Sequence, residues 1–191
     1  MEGIKTIVLA SASPARKKLL EEQGLNVIVR PTGCNEDCNL TDPAAVVTEL
    51  ASRKLKARME SADFDPSLPA LACDTLISLD GQLIGKAHSE EEARNQIRAF
   101  SSKTHTVFSG YALYIDGTVF SGFDSTDVTF REIGETELDE YIAGGSWKGA
   151  AGSYHIHTDA DRFIERTQGS TATVIGLPLE KISDIIRILH K

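Results

Sequence analysis

The stretch Leu71-Ala72-Cys73-Asp74-Thr75-Leu76-Ile77 is apolar on both of its alternating faces. A strand of that kind belongs inside a sheet rather than at a half-solvated edge. The chain around it alternates strand-like and helix-like segments. Ile4 to Ala10 is a short apolar run that predicts a buried first strand, and Asn26 to Arg30 a second. Ser13 is placed to cap a helix with Pro14 at its first position and Gly24 beyond its end. Asp42-Pro43 opens another helix to about Ser61, after a polar loop from Pro31. Ala70 to Leu79 turns at Asp80-Gly81 into Gln82 to Gly85. Ser89-Glu90-Glu91-Glu92 fits a capping box for a helix to about Phe100. Asp116-Gly117 joins Thr106 to Ile115 with Thr118 to Arg131, a strong hairpin signal. A short helix over about Glu135 to Ala143, a glycine-rich segment, short strands and a closing helix from Pro178 to His190 follow. The pattern is α/β with a mixed β-sheet and flanking helices, and nothing in it marks a linker or a repeat.

The 191 residues are enough for one domain spanning 1–191. A chain of this length buries roughly 70% of its unfolded surface without needing a staple. No window approaches the ~20 apolar residues of a membrane span. The N-terminus has no signal-peptide run, so a cytoplasmic location is expected. The net charge of −8 repels nucleic acid and anionic lipid surfaces. A phosphate ligand would have to be held by local donors, clustered cations or a metal. The three cysteines, Cys34, Cys38 and Cys73, fit a reduced protein.

Three places can carry chemistry. In Leu9-Ala10-Ser11-Ala12-Ser13-Pro14-Ala15-Arg16-Lys17-Lys18 a strand feeds a helix through a serine-rich turn. The unpaired N–H groups of a helix start attract anions, and three cations there oppose the helix dipole unless an anion joins them. The other reading is a capped helix with solvated cations. Asp74 is a lone carboxylate in an apolar strand, which is costly unless it is paired or bound to metal. A structural role satisfied by the backbone or by a salt bridge is the alternative. Lys54 follows Val47, Leu50 and Ala51 on the apolar stripe of its helix, where it either reaches a cleft or snorkels to water. Lys86, after Gly85, has no periodicity argument. Cys34 and Cys38 with His155 and His157 could ligate zinc, although neither spacing is a strong zinc pattern. Phosphate-loop, dinucleotide, nucleophile-elbow and zinc-helix signatures are all missing from the sequence. The residues alone point to a cleft enzyme acting on a phosphorylated small molecule.

The ordered motifs Leu9-Ala-Ser-Ala-Ser-Pro14, Glu36, Leu50-Ala51 with Lys54, and Cys73-Asp74-Thr75 continue through Gly85-Lys86 and His105 before Ser109-Gly110. Val128-Thr129-Phe130, Ala151-Gly152-Ser153-Tyr154 and Val174-Ile175-Gly176-Leu177-Pro178 complete them. With these motifs the chain resembles, nearly end to end, the Maf family of nucleoside triphosphate pyrophosphatases. The resemblance implies two lobes around a cleft, built on a twisted mixed sheet like that of inosine triphosphate pyrophosphatases. It implies hydrolysis between the α and β phosphates to a monophosphate and pyrophosphate, a divalent cation (Mg2+ or Mn2+), and a cytoplasmic homodimer. On that reading Ser11, Ser13, Arg16 and Lys17 hold the polyphosphate, and Lys54 and Lys86 neutralise the leaving pyrophosphate. Glu36 and Asp74 bind the metal, and Asp74 is also the base.

The departures bear on the base. Ala15 stands where the dTTP/UTP branch carries an arginine, and His157 where that branch carries glutamine, whereas Thr75 matches it. The 7-methyl-GTP branch carries a bulky aromatic at position 15 and glutamine at position 75, so the chain fits neither. Ala87 replaces a usual proline, and Ser170 a common aspartate. A broader nucleotide range is expected, with His157 either at the base edge or solvated. The loss of an arginine at position 15 also leaves open a nucleotide-binding regulator with weak or no hydrolysis.

Overall fold

In the computed structural model, residues 3–189 are described. Seven strands and six helices follow in the order β1 (Thr6–Leu9), α1 (Pro14–Glu22), β2 (Asn26–Val29), α2 (Pro43–Met59), β3 (Ala70–Leu79), β4 (Gln82–Ile84), α3 (Glu90–Phe100), β5 (Thr104–Ile115), β6 (Thr118–Phe130), α4 (Glu135–Gly144), β7 (Ile164–Gln168), α5 (Thr171–Ile175) and α6 (Leu179–Leu189). The sheet is mixed and ordered β2-β1-β3-β5-β6-β7, with β4 paired to β3. β1 runs parallel to both β2 and β3, while β4 on β3 and β7 on β6 are antiparallel. This is the expected α/β class.

Local chemistry sets most boundaries. Ser13 Oγ accepts from the Arg16 N–H at 3.4 Å, and Asp42 Oδ2 from Ala45 N–H at 2.9 Å, each just before a proline that opens its helix. Ser89 Oγ accepts from Glu92 N–H at 3.1 Å. The returning Glu92 carboxylate takes the His88 N–H at 2.8 Å, one residue earlier than in a standard capping box. Both hairpins close on an Asp-Gly pair with positive φ at each residue, +50° and +80° at Asp80-Gly81 and +50° and +76° at Asp116-Gly117. That backbone matches the right-handed twist of the strands it joins.

The structure departs from the sequence reading after residue 144. Where short strands were expected, one strand (β7) forms, together with an isolated antiparallel bridge from Lys86 to Ala151. Positive φ at Gly145, Gly149, Gly152, Ser153 and His157 breaks the extended geometry that ladders need. The chain instead makes turns and a 3-10 segment over Asp159–Phe163. The expected end of the closing helix, His190, lies outside the described residues.

The chain divides into two compact units. The first runs to Asp74 and includes Ser109–Asp124 and the chain from Gly176. Its interior is mainly aliphatic, with one cluster around Ile7, Leu9, Leu20, Leu71, Tyr111 and Ile186, and another built on Val8, Leu55, Tyr114 and small alanines. The second comprises Thr75–Phe108 and Ser125–Ile175. Its core is aromatic, centred on Phe100, Phe130, Tyr141, Trp147, Tyr154 and Phe163.

Candidate active site

Three neighbouring parallel strands bring chemistry to one end of the first unit. β1 ends at Leu9 and delivers the Ser11–Ser13 turn and α1. β2 ends at Val29 and delivers the loop that carries Glu36. β3 pairs with β1 at Val8↔Ala70 and Leu9↔Leu71, so Asp74 lies three residues past the last rung, where β1 has already turned away. Ligands of open α/β sheets bind outside the carboxyl ends of such strands.

Asp74 is buried to 13% side-chain exposure, and Lys54 to 15%. The Lys54 ammonium bonds the Asp74 carboxylate directly and lies 2.9 Å from Glu36 Oε1. Val47, Leu50 and Ala51 are buried as the helical period requires, and Lys54 comes off that same face toward Asp74. Burial alone would lower the Lys54 pKa. The carboxylates of Asp74 and Glu36 more than offset this, so its pKa is raised and the ammonium keeps its proton. One cation thus answers a buried acid, Asp74, and an exposed one, Glu36, and leaving Lys54 or Asp74 alone would be costly.

Small residues permit that contact. Ala51, Ala70, Ala72 and Ala112 are fully buried or nearly so, and α2 rests on β5 at Gly110. A Cβ at Gly110 would lie 2.2 Å from the Val47 carbonyl oxygen. Helix and strand therefore approach closely enough for one lysine to span the gap.

Arg16 is tied into the framework of the first unit. Its Nε donates to the Gly176 carbonyl at 2.8 Å, and Nη1 donates to Ser11 Oγ and the Cys73 carbonyl, each at 3.0 Å. The last bond holds the peptide that precedes Asp74. Ser11 Oγ also accepts from the Ser13 N–H at 3.3 Å, which shapes the turn. Lys17 pairs with Glu21 at 2.5 Å along the exposed side of α1, and Ala15 is exposed on its first turn. Cys73, beneath Asp74, is completely buried, and burial pushes its thiol pKa up to about 11, so it is an inert core residue.

Thr75, Lys86 and His157 belong to the second unit. Thr75 is half-buried on β3, and Lys86 is exposed on its bridge to Ala151. His157 is exposed at φ +65°, with its N–H donating to Asp161 Oδ1 at 2.7 Å. His105 is buried, stacked on Phe100 at 4.1 Å and hydrogen-bonded through Nε2 to Tyr154 Oη at 2.8 Å. Burial pushes its pKa down to about 3, so it is a neutral core ring.

Glu36 and Asp74 are the residues that could hold a metal. Their oxygens already converge on one cation, the Lys54 ammonium. Hard carboxylate donors of that kind suit Mg2+ or Mn2+ better than zinc. Among the described residues no three of His, Cys, Asp and Glu come together as a metal cluster. The same finding leaves Cys34, Cys38, His155 and His157 without a shared zinc site among the described residues. Sequence reasoning overlooked Arg53, whose adjacency to Lys54 on α2 was the available signal.

The Maf-like protein family matches residues 6–189. The chain is similar to a dTTP/UTP pyrophosphatase of Pyrococcus abyssi, 35% identical over 185 residues, covering 97% of each chain. It is also similar to proteins of that name in Chromobacterium violaceum, 35% identical over 92% of this chain and 90% of the relative, and Bacillus cereus, 33% identical over 95% and 88%. No helix among the described residues is long and apolar enough to cross a membrane.

Proposed function

The chain belongs to the Maf-like family, and on that premise we propose that it is a nucleoside triphosphate pyrophosphatase, cleaving between the α and β phosphates. The observation that carries the assignment of roles is the Lys54 ammonium held between the carboxylates of Asp74 and Glu36. The relatives' names make dTTP and UTP the first substrates to try, and Thr75 agrees with them. Ala15 and His157 argue for a wider base range.

Ser11, Ser13, Arg16 and Lys17 receive the polyphosphate at the start of α1, where the helix dipole favours an anion. Glu36 and Asp74 hold a divalent cation, which when bound neutralises phosphate charge and polarises the phosphoryl oxygens. Asp74 orients the attacking water and takes its proton as the oxygen adds to the α-phosphorus. The bond to the bridging oxygen breaks, and the pyrophosphate leaves with the electron pair. Lys54, kept charged by its two acids, and Lys86, assigned by its Gly85-Lys86 motif, offset that developing charge. Such positioning and electrostatics supply most of the rate in phosphoryl chemistry.

The test is a panel of standard and modified triphosphates with Mg2+ or Mn2+, with the products separated by ion exchange. Monophosphate plus pyrophosphate is expected, and Asp74→Asn should lower turnover about 10³-fold while the protein stays folded. Diphosphate plus orthophosphate, or binding with no turnover, would overturn the assigned reaction. Wild-type turnover in Asp74→Asn would remove its role as base.

A further inference from the structure

We propose that Arg53 is the positioning residue that presents the Glu36 carboxylate to the site; this rests on the reading of Glu36 as a metal-holding acid. Residues 30–40 form neither helix nor strand, so no ladder fixes the loop that carries Glu36. Arg53 does so from α2. Its Nη1 donates to the Asn35 carbonyl at 3.3 Å and to the Asp37 carbonyl at 2.7 Å, the residues on either side of Glu36. Its Nε donates to Glu49 Oε1 at 2.7 Å one turn earlier, which sets the plane of the guanidinium. Within the loop, Asn35 Oδ1 accepts from the Asp37 N–H at 2.8 Å and tightens the same turn. Thr32 Oγ1 donates to the Lys54 carbonyl at 3.1 Å, a second tie to the same turn of α2.

The consequence is geometric. Consecutive residues of one helix divide the work. Lys54 goes inward to the acids, and Arg53 goes outward to the loop and holds the backbone flanking one of those acids. The Glu36 side chain is 61% exposed and sits on an irregular segment, so its place relative to Asp74 depends on its backbone being held. A planar guanidinium that bonds Glu49 through Nε and two loop carbonyls through Nη1 cannot be replaced by the point charge of a lysine. Groups that orient a metal's ligands commonly change its affinity by 10- to 100-fold when removed.

The experiment uses the full chain and three variants, Arg53→Gln, Arg53→Lys and Glu36→Gln. Mn2+ is titrated in by electron paramagnetic resonance, with the α,β-methylene analogue of the fastest triphosphate present, so that no turnover is required. Arg53→Gln is expected to weaken Mn2+ binding about 10-fold or more. Arg53→Lys should recover only a small part of that loss, with the melting temperature of both variants near that of the parent. In steady state the Mn2+ concentration for half-maximal rate should rise in parallel, while the rate at saturating Mn2+ changes far less. Unchanged Mn2+ binding in both Arg53 variants, alongside a loss in Glu36→Gln, would overturn the clamp and leave the metal reading standing. Unchanged binding in Glu36→Gln would overturn both.

Discussion

The first unit buries charged side chains among mainly aliphatic ones, and the second centres its core on rings. In the first, Lys54 and Asp74 lie almost out of solvent, Arg16 donates to two backbone carbonyls and to Ser11 Oγ, and Arg58, 5% exposed, is answered by Asp63. Around them the packing is mainly aliphatic and alanine-rich. In the second, Phe100, Phe130, Tyr154 and Phe163 meet edge-on or tilted around a neutral histidine, while Lys103, Arg94 and Arg98 pair with acids at the surface. Large rings fill volume with few rotamers to freeze, and edge-to-face contacts add to their burial. Small residues do the opposite: they let backbones close up, as where α2 rests on β5 at Gly110.

Adding a methyl group to a glycine in each unit tests this directly. Gly110→Ala should have the largest effect on stability, because its Cβ would press on the Val47 backbone at 2.2 and 2.4 Å, which no rotamer change relieves. A loss above about 4 kcal/mol in urea unfolding, or no soluble protein, is expected. A loss below about 1 kcal/mol would show that α2 can lift off β5 and that the close approach is dispensable. Gly152→Ala should cost less, about 3 kcal/mol, from a positive φ of +65° and a side-chain clash with Ile77 Cδ1 at 2.3 Å and the Phe100 ring at 3.2 Å. Those are side-chain atoms that can yield in part. An order reversed between the two would break the contrast between the units.

The smallest effect concerns pH. His105 stays neutral when folded because burial lowers its pKa to about 3, whereas the unfolded chain titrates near 6.5. Below pH 6.5 the unfolded state therefore binds a proton that the folded state does not, and stability falls as pH falls through the window from 6.5 to 3. Between pH 7 and 5 the wild type should lose about 2 kcal/mol more than His105→Phe, whose ring suits the same stack. Equal losses in the two proteins would place a solvated, chargeable imidazole at this position.

Asp74 and Lys54 were legible as oddities: a carboxylate in a doubly apolar strand, and a lysine on an apolar stripe. Both are what a core would reject unless each answered the other, and they do. Lys17 and Lys18, conspicuous in the sequence, pair with Glu21 and Glu22 one turn on, the ordinary fate of exposed helical charges. His105 carried no local mark of its burial, because its hydrogen-bond partner Tyr154 comes from 49 residues further along the chain. Apart from its place beside Lys54, Arg53 has no sequence signal of its own, because its partners Asn35 and Asp37 lie on a loop 16 to 18 residues earlier.

The sequence by itself determined what acts within a few residues. Serine and aspartate caps fixed the helix starts, Asp-Gly pairs fixed both hairpins, and periodicity fixed which face of α2 turns inward. Tertiary structure alone decided the strand order β2-β1-β3 and the meeting of Glu36, Lys54 and Asp74. It also gave Arg16 to a carbonyl 160 residues away. A cap or a turn is a hydrogen bond between neighbours and forms wherever its residues occur. A partner distant in the chain is selected only when burial of the whole sheet makes every other arrangement leave a charge or a peptide group unanswered.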